Sequence, residues 1–138
     1  MPQDPNCLFC KIVKSGSANL IREDDHTLAF LDIMPRSPGH TLVIPKYHAE
    51  TLIDLPDEEV AALFTAVKAV DILLMEKLTP HGMTIGVNQG KASGQEVDHV
   101  HVHLMPRWRD DKGHSIQAAV DNRPQEGLQE ILRKITGR

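Results

Sequence analysis

The sequence contains few aromatic residues and no long apolar run. Its 138 residues include only three Phe, one Trp and one Tyr. No apolar stretch approaches the roughly 18 residues that suggest a membrane-spanning helix. The opening segment, Met-Pro-Gln-Asp-Pro-Asn, has neither the basic part nor the apolar part of a secretory signal. We therefore expect no membrane association and a cytoplasmic location.

Neither sign of charge is in large excess. Lys and Arg together number 15 and Asp and Glu 19, which gives a net charge of −4 with histidine neutral. This balance argues against a nucleic-acid-binding protein and against a polybasic membrane binder. The apolar fraction of 41% and the charged fraction of 25% are typical of a globular protein. The length predicts a single domain covering residues 1–138.

The hydrophobic patterns predict an α+β fold. Alternating or β-branched segments predict strands, and apolar residues at three- and four-residue spacing predict helices. The predicted helices cover residues 7–15, 56–78 and 128–135, and the predicted strands cover residues 20–23, 27–33, 40–45, 83–88 and 99–105. Strands followed by one long helix, more strands and a terminal helix favour an antiparallel sheet of about five strands over alternating βαβ winding.

Three of the eight histidines alternate with apolar residues near the end of the predicted sheet. On a strand, His99, His101 and His103 share one face, while Val100 and Val102 point to the other face. The outer two histidines would lie about 13–14 Å apart, too far for three of them to share one zinc ion. A solvent-exposed strand face, a metal shared by two of them and a catalytic row are the alternatives. We favour the catalytic row, because imidazole is available in its neutral, nucleophilic form near neutral pH.

The sequence has only two cysteines, Cys7 and Cys10. A Cys-x-x-Cys pair in a chain without a visible secretory signal indicates metal or redox chemistry before a structural disulfide. The pair alone is a weak signal, and free reduced thiols are the alternative. A closed tetrahedral zinc site needs two more ligands, which histidines can supply.

Three segments together resemble the histidine triad family. The main one is GQEVDHVHVHLMPR at residues 94–107, which contains the family signature His-φ-His-φ-His-φ-φ, where φ is apolar. FLDIMP at residues 30–35 and GHTLVIPK at residues 39–46 are similar to the nucleotide-binding segments of the family. The likeness extends from about Cys7 to Arg107, which leaves residues 108–138 as a tail. It implies the histidine triad fold and a homodimer in which the sheets pair.

The resemblance also implies a reaction and the residues that perform it. The middle histidine, His101, would attack the α-phosphorus of a bound purine nucleotide conjugate of AMP or GMP, and water would then cleave the nucleotidyl-histidine. His103 would contact the phosphate and assist the leaving group, and His40 would support the site. The implied nucleotide-binding residues are Asp32, Ile33, Asn88, Gly94, Gln95, His101 and His103.

Three functions remain open at this point. The first is a hydrolase or nucleotidyl transferase that resembles nucleoside phosphoramidases. The second is a dinucleoside polyphosphate hydrolase, and the third is a nucleotide-binding regulatory module with negligible turnover. Many relatives have Ser or Thr at the position of Glu96, where a hydroxyl can donate to the leaving group. An ionised glutamate only accepts hydrogen bonds and would repel phosphate. Glu96 either points away, or acts in its protonated form, or favours a different leaving group, so this position bears on the substrate and not on the nucleophile.

The likeness to bacterial-type members of the family implies a zinc ion. Its ligands would be Cys7, Cys10, His48 and the first triad histidine, His99. Four protein ligands leave no open position for water, so the zinc would be structural. His99 would then differ in role from His101 and His103.

Overall fold

The computed structural model describes residues 1–138 and confirms the α+β fold. The helices are α1 (Leu8–Ser15), α2 (Asp57–Leu78) and α3 (Leu128–Thr136). The strands are β1 (Leu20–Glu23), β2 (Thr27–Leu31), β3 (Thr41–Pro45), β4 (Gly82–Gly86) and β5 (Val102–Arg107). Short 3-10 turns lie at Leu52–Asp54, Lys91–Ser93 and Ile116–Ala119. None of the helices is long and apolar enough to cross a membrane.

The five strands form one sheet in the order β1-β2-β3-β5-β4, and every neighbouring pair is antiparallel. β3 therefore lies at the centre, next to β5, although the long helix α2 separates the two in the sequence. In this pairing Leu42 lies opposite His103. The start of β3 and the histidine-bearing strand are thus brought side by side. β4 is an edge strand, paired only with β5.

The histidine strand begins later than the sequence predicts. The alternation predicts a strand from His99, whereas β5 begins at Val102. The ladder between β3 and β5 reaches only as far as the pair Val43 and Val102. Beyond it lies Pro45, which has no N–H to donate to a ladder. The Pro45 carbonyl instead accepts a hydrogen bond from the ring of His99 at 2.8 Å.

The predicted alternation of faces nevertheless holds through this segment. Val100, Val102 and Leu104 are buried on the side of the sheet that α2 covers. They pack there with the buried face of α2, which consists of Leu63, Ala66, Val67, Val70 and Leu74. Burial of this face holds α2 against the sheet. Phe64 and Leu78, which the spacing also places on the apolar face, are 40% and 39% exposed.

Helix α1 covers part of the opposite face of the sheet. A second core there consists of Cys7, Phe9, Cys10, Leu28, Phe30, Leu42 and Ile44. The ring of Phe9 lies edge-on to that of Phe30, with 5.7 Å between the ring centroids. α1 ends at Gly16, whose φ of 66° is the left-handed conformation that glycine adopts without strain. The two cysteines are therefore held on the same face of the sheet as the triad histidines.

Candidate functional site

His101 is held in a single tautomer by the backbone. Its Nδ1 lies 2.7 Å from the carbonyl oxygen of His99. A carbonyl only accepts hydrogen bonds, so Nδ1 carries the proton and Nε2 of the neutral ring keeps its lone pair. The rings of Phe9 and His103 lie edge-on at centroid distances of 5.2 Å and 5.1 Å. The side chain is thus oriented as a nitrogen nucleophile.

A chain of hydrogen bonds fixes the tautomer of His103 as well. The backbone N–H of Arg36 donates to Nδ1 of His40 at 3.0 Å, so the proton of neutral His40 is on Nε2. That N–H donates to Nδ1 of His103 at 2.9 Å. The remaining ring proton of His103 is therefore on its Nε2. His103 presents a donor where His101 presents a lone pair.

Burial keeps His40 and His103 neutral. Burial, together with the neighbouring His101 and His40, lowers the pKa of His103 to about 4. Burial also lowers the pKa of His40, which Asp32 partly opposes. The Oδ2 atom of Asp32 lies 3.5 Å from Nε2 of His40. At neutral pH the hydrogen-bonded chain therefore consists of uncharged imidazoles beside one carboxylate.

Asp32, His40 and His103 also have their ligand atoms close enough to hold a metal ion, within 4.8 Å of one another. The hydrogen bonds argue against such a site. A metal on Nε2 of His40 would displace the ring proton to Nδ1, where it would face the N–H of Arg36. Two donors cannot bond to each other. Asp32, His40 and His103 are therefore better described as a hydrogen-bonded chain with fixed proton positions than as a metal site.

The predicted nucleotide-binding residues lie around these histidines. Asp32 follows β2, and its Oδ1 accepts from the N–H of Met34 at 2.9 Å, which leaves Oδ2 toward His40. Ile33 is 86% exposed beside it. Asn88 follows β4, and its side chain lies close to Gly94, at 4.0 Å from the position that a Cβ atom would occupy there. Gly94 has a φ of 99°, a conformation that suits glycine.

The side chain of Gln95 is occupied by the protein itself. Its Nε2 donates to the carbonyls of Glu50 at 2.8 Å and Val97 at 3.0 Å, and its Oε1 accepts from the N–H of Gly90 at 2.8 Å. Both amide protons are used, and the residue is buried. The side-chain amide of Gln95 thus holds the loop of residues 90–95 against the segments that carry His48 and His99.

Cys7, Cys10, His48 and His99 form a compact group of four ligand atoms, all within 4.8 Å of one another. Nδ1 of His99 lies 3.5 Å from Sγ of Cys7 and 3.6 Å from Sγ of Cys10, and 3.2 Å from Nδ1 of His48. Tetrahedral zinc, with bonds of about 2.0–2.1 Å to nitrogen and about 2.3 Å to sulfur, spaces such atoms by about 3.3–3.8 Å. The residues present fit a tetrahedral metal ion.

The surroundings of this Cys2His2 group also suit a metal. The Pro45 carbonyl accepts the Nε2 proton of His99, which turns the lone pair of Nδ1 toward the two sulfur atoms. The N–H groups of Asp4 and Cys10 point at the sulfur atoms of Cys10 and Cys7, each at 3.4 Å. Burial lowers the pKa of His99 to about 4, so its ring is neutral, as a ligand must be.

Two clefts meet at the hydrogen-bonded histidines. A cleft of about 460 Å³ lies on the side of Asp32 and is lined by residues 31, 32 and 35–40. A larger cavity of about 950 Å³ begins at His40 and His103 and extends along β4 and β5. Its far wall is formed by residues from Asp111 to Val120. A bound conjugate thus has room on both sides of the histidines.

Several groups of this site were not predicted from the sequence. Phe9 contacts both His99 and His101, but its place between the cysteines gave no functional signal. Arg36 acts through its backbone N–H, which no side-chain pattern reveals. The segment after β5 has little motif content. Its one available signal was the spacing of Arg107 and Asp111, four residues apart and opposite in charge.

Comparison with known proteins agrees with this geometry. The family model described as HIT domain matches residues 14–110. The adenosine 5'-monophosphoramidase of Saccharomyces cerevisiae is 44% identical over 111 residues, which are 79% of this chain and 66% of that protein. A HIT family protein from Bacillus subtilis has a crystal structure that superposes with a TM-score of 0.83 at 36% identity, covering 96% of both chains.

A second solved structure concerns the metal. A Zn-bound histidine triad family protein from Mycobacterium smegmatis has a TM-score of 0.73 and 38% identity, covering 88% of this chain and 84% of that one. The family model, these similarities and the arrangement of His99, His101 and His103 lead to one conclusion. The chain belongs to the HIT (histidine triad) family.

Proposed function

We propose that this protein is a nucleotide hydrolase or nucleotidyl transferase that cleaves purine nucleotide conjugates at the α-phosphate, in the manner of a nucleoside phosphoramidase. One observation carries the proposal: Nε2 of His101 keeps its lone pair because Nδ1 donates to the His99 carbonyl. The similarity to a yeast adenosine 5'-monophosphoramidase supports an AMP conjugate as the substrate.

The reaction has two displacements at phosphorus. Nε2 of His101 forms a bond to the α-phosphorus, and the bond from phosphorus to the leaving group breaks with its electron pair. The Nε2–H of His103 donates a hydrogen bond to the phosphate or the departing group. Water then attacks the phosphorus, and the bond to His101 breaks with its electron pair, which restores the lone pair on Nε2 and releases the nucleotide. The proton that this water loses to solvent balances the one that the leaving group takes up from solvent.

The other predicted residues have binding roles in this proposal. Asp32 accepts hydrogen bonds from the ribose hydroxyls with its free lone pairs. Asn88 and the loop at Gly94 flank the phosphate, and Ile33 offers an exposed apolar contact to the nucleoside. Gln95 contributes through its backbone and by holding the loop, because its side-chain amide is already bonded.

The large cavity favours a second candidate. A volume of about 950 Å³ exceeds what an amine leaving group needs and is close to that of a drug-sized ligand site. It would accommodate the second half of a dinucleoside polyphosphate. Glu96 is exposed, so its charge is solvated and does not exclude such a leaving group. A regulatory binding module is the third possibility, and it predicts no turnover.

The experiment that tests the proposal is trapping of the intermediate. The protein is mixed with a conjugate carrying ³²P at the α-phosphate and quenched in denaturant at alkaline pH, where a phosphorus–nitrogen bond persists. We expect label on the wild-type chain and none on His101→Ala. Absence of label together with absence of product would favour the regulatory module. Comparing kcat/KM for adenosine phosphoramidate and diadenosine polyphosphates separates the two enzymes.

We also propose that the Cys2His2 group binds one structural zinc ion. The spacing of the ligand atoms and the orientation of His99 support this, as does the Zn-bound relative. Zinc would supply a cross-link between the start of α1, the segment after β3 and the segment before β5. The thiols must stay reduced to bind it, which is consistent with the predicted cytoplasmic location.

A homodimer is the last part of the proposal. Phe64, Ile72, Met75 and Leu78 form an exposed apolar stripe on α2, between 37% and 50% exposed. β4 is an edge strand with unpaired backbone groups, and its Ile85 is 37% exposed. Ile85 lies opposite Leu104, so it is on the side of the sheet that carries α2. A second copy would cover both features and pair the two sheets.

A further inference from the structure

The segment after β5 is fastened to the sheet by a single arginine. The guanidinium of Arg107 makes two hydrogen bonds to Asp111, at 2.7 Å and 3.2 Å. It also donates to Oγ1 of Thr84 on β4 at 2.9 Å and to the carbonyl of His114 at 2.8 Å. One side chain thus joins both strands at the sheet edge to the turn that follows.

The partner carboxylate organises the turn itself. Asp111 accepts from the N–H of Trp108 at 2.9 Å and from the N–H of Gly113 at 2.8 Å. Arg107 holds the pKa of the Asp111 carboxyl far below its usual range, so the pair stays ionised at working pH. Lys112, the residue after Asp111, adopts a φ of 61°. A Cβ atom at Gly113 would collide with the guanidinium of Arg107. The turn is built around this pair.

This turn is the far wall of the large cavity described above. The cavity runs from His103 to Lys112, His114 and Ile116. Asp111 is the only acidic residue that lines it, and Arg107 neutralises that charge. Arg36 and Lys112 also line the cavity, and neither forms an ion pair within the chain. The cavity therefore carries a net positive charge, with Arg36 beside the histidines and Lys112 on the opposite wall.

We infer that Arg107 and Asp111 are positioning residues that fix residues 112–116 as this wall and so make the site selective for an extended, anionic leaving group. The inference rests on the proposed function, since it requires a nucleotide at the histidines. It assigns Arg107 no contact with the reacting phosphate, because four of its five N–H donors are used by Asp111, Thr84 and His114.

The test compares two ligands in the full-length protein. Equilibrium affinities for AMP and for diadenosine tetraphosphate are measured in a His101→Ala background, so that neither ligand is consumed. Asp111→Asn and Arg107→Met are compared with Asp110→Asn and Arg109→Met, whose side chains form no ion pair or hydrogen bond. Because misplacement of a positioned contact weakens binding strongly, we expect Asp111→Asn and Arg107→Met to lose affinity for the dinucleotide about tenfold more than for AMP.

A second measurement, made without nucleotide, tests whether the turn after β5 stays folded. Trypsin cleavage after Lys112 should be faster in Asp111→Asn than in Asp110→Asn, because release of the turn exposes its backbone. Equal loss of both affinities would mean a general structural role and would overturn the inference, as would unchanged affinities or unchanged cleavage. Weak AMP binding by the His101→Ala protein itself, with normal cleavage differences, would instead count against the proposed function.

Discussion

Proton positions on three imidazoles decide what this site can do. The His99 carbonyl sets the proton of His101, and the Arg36 N–H sets that of His40 and, through it, that of His103. A backbone carbonyl only accepts and a backbone N–H only donates, so each selects a single tautomer of the imidazole that it contacts. His101 and His103 thereby acquire opposite roles: Nε2 of His101 carries a lone pair, and Nε2 of His103 carries a proton that it can donate.

Removing the nucleophile gives the first prediction at this scale. His101→Ala should lower kcat by several orders of magnitude, because each tenfold loss corresponds to about 1.4 kcal/mol in the barrier and covalent catalysis supplies several such factors. Nucleotide affinity, measured by calorimetry, should change little. His81→Ala is the control, since His81 is exposed and outside the site. More than about a tenth of wild-type activity in His101→Ala would contradict the assignment.

The protonation of His103 gives the second prediction. Burial lowers its pKa to about 4 from an ordinary value of about 6.5. The unfolded chain therefore takes up this proton at higher pH than the folded one, and the folded state loses stability as pH falls from about 6.5 toward 4. The ring proton resonances of His103, assigned with His103→Asn, should titrate near pH 4 in NMR spectra. A midpoint near 6.5 would refute this.

At the scale of elements, α1 and the segment before β5 act as one unit. Cys7 and Cys10 lie at the start of α1, and Phe9 between them contacts the rings of both His99 and His101. His99 belongs to the metal-compatible group through its ring and to the His101 environment through its carbonyl. The position of α1 therefore influences the orientation of the nucleophile.

Metal content gives the prediction for this unit. The purified, reduced protein should contain about one zinc ion per chain, because binding favours only the assembled site. Chelation should lower the melting temperature and increase amide exchange in residues 1–16 while nucleotide binding survives. Cys10→Ser should behave like the chelated protein, and Ser15→Ala on the same helix should behave like the wild type. Elemental analysis that finds no zinc would leave Cys7 and Cys10 as ordinary thiols.

At the scale of the whole molecule, one face of the sheet is only partly covered. α2 packs over β2, β3 and β5, while β4 at the edge keeps Ile85 exposed. The residues of the apolar stripe of α2 stay between 37% and 50% exposed. Exposed apolar side chains next to an unpaired strand are what a second copy would bury.

The mass in solution gives the prediction for this surface. Light scattering should find twice the chain mass of 15.4 kDa. Ile72→Lys should shift the equilibrium toward monomer, because it places a charge within the apolar stripe. Ile53→Lys is the control, since Ile53 is 83% exposed and lies outside α2. A monomeric wild-type protein at micromolar concentration would contradict the proposed homodimer.

The sequence alone determined the elements and the face on which the histidines lie. Local periodicity is enough for that, since side chains alternate on a strand and repeat every three to four residues on a helix. The apolar spacing predicted the bounds of α2 to within one residue. The family resemblance supplied the four candidate zinc ligands. The start of β5 depends instead on a distant contact, because a proline in β3, 57 positions before Val102 in the chain, limits the pairing of the two strands. Tertiary contacts likewise decide which ring nitrogens carry protons and how Arg107 fixes the cavity wall, since these depend on groups that meet only in the folded chain.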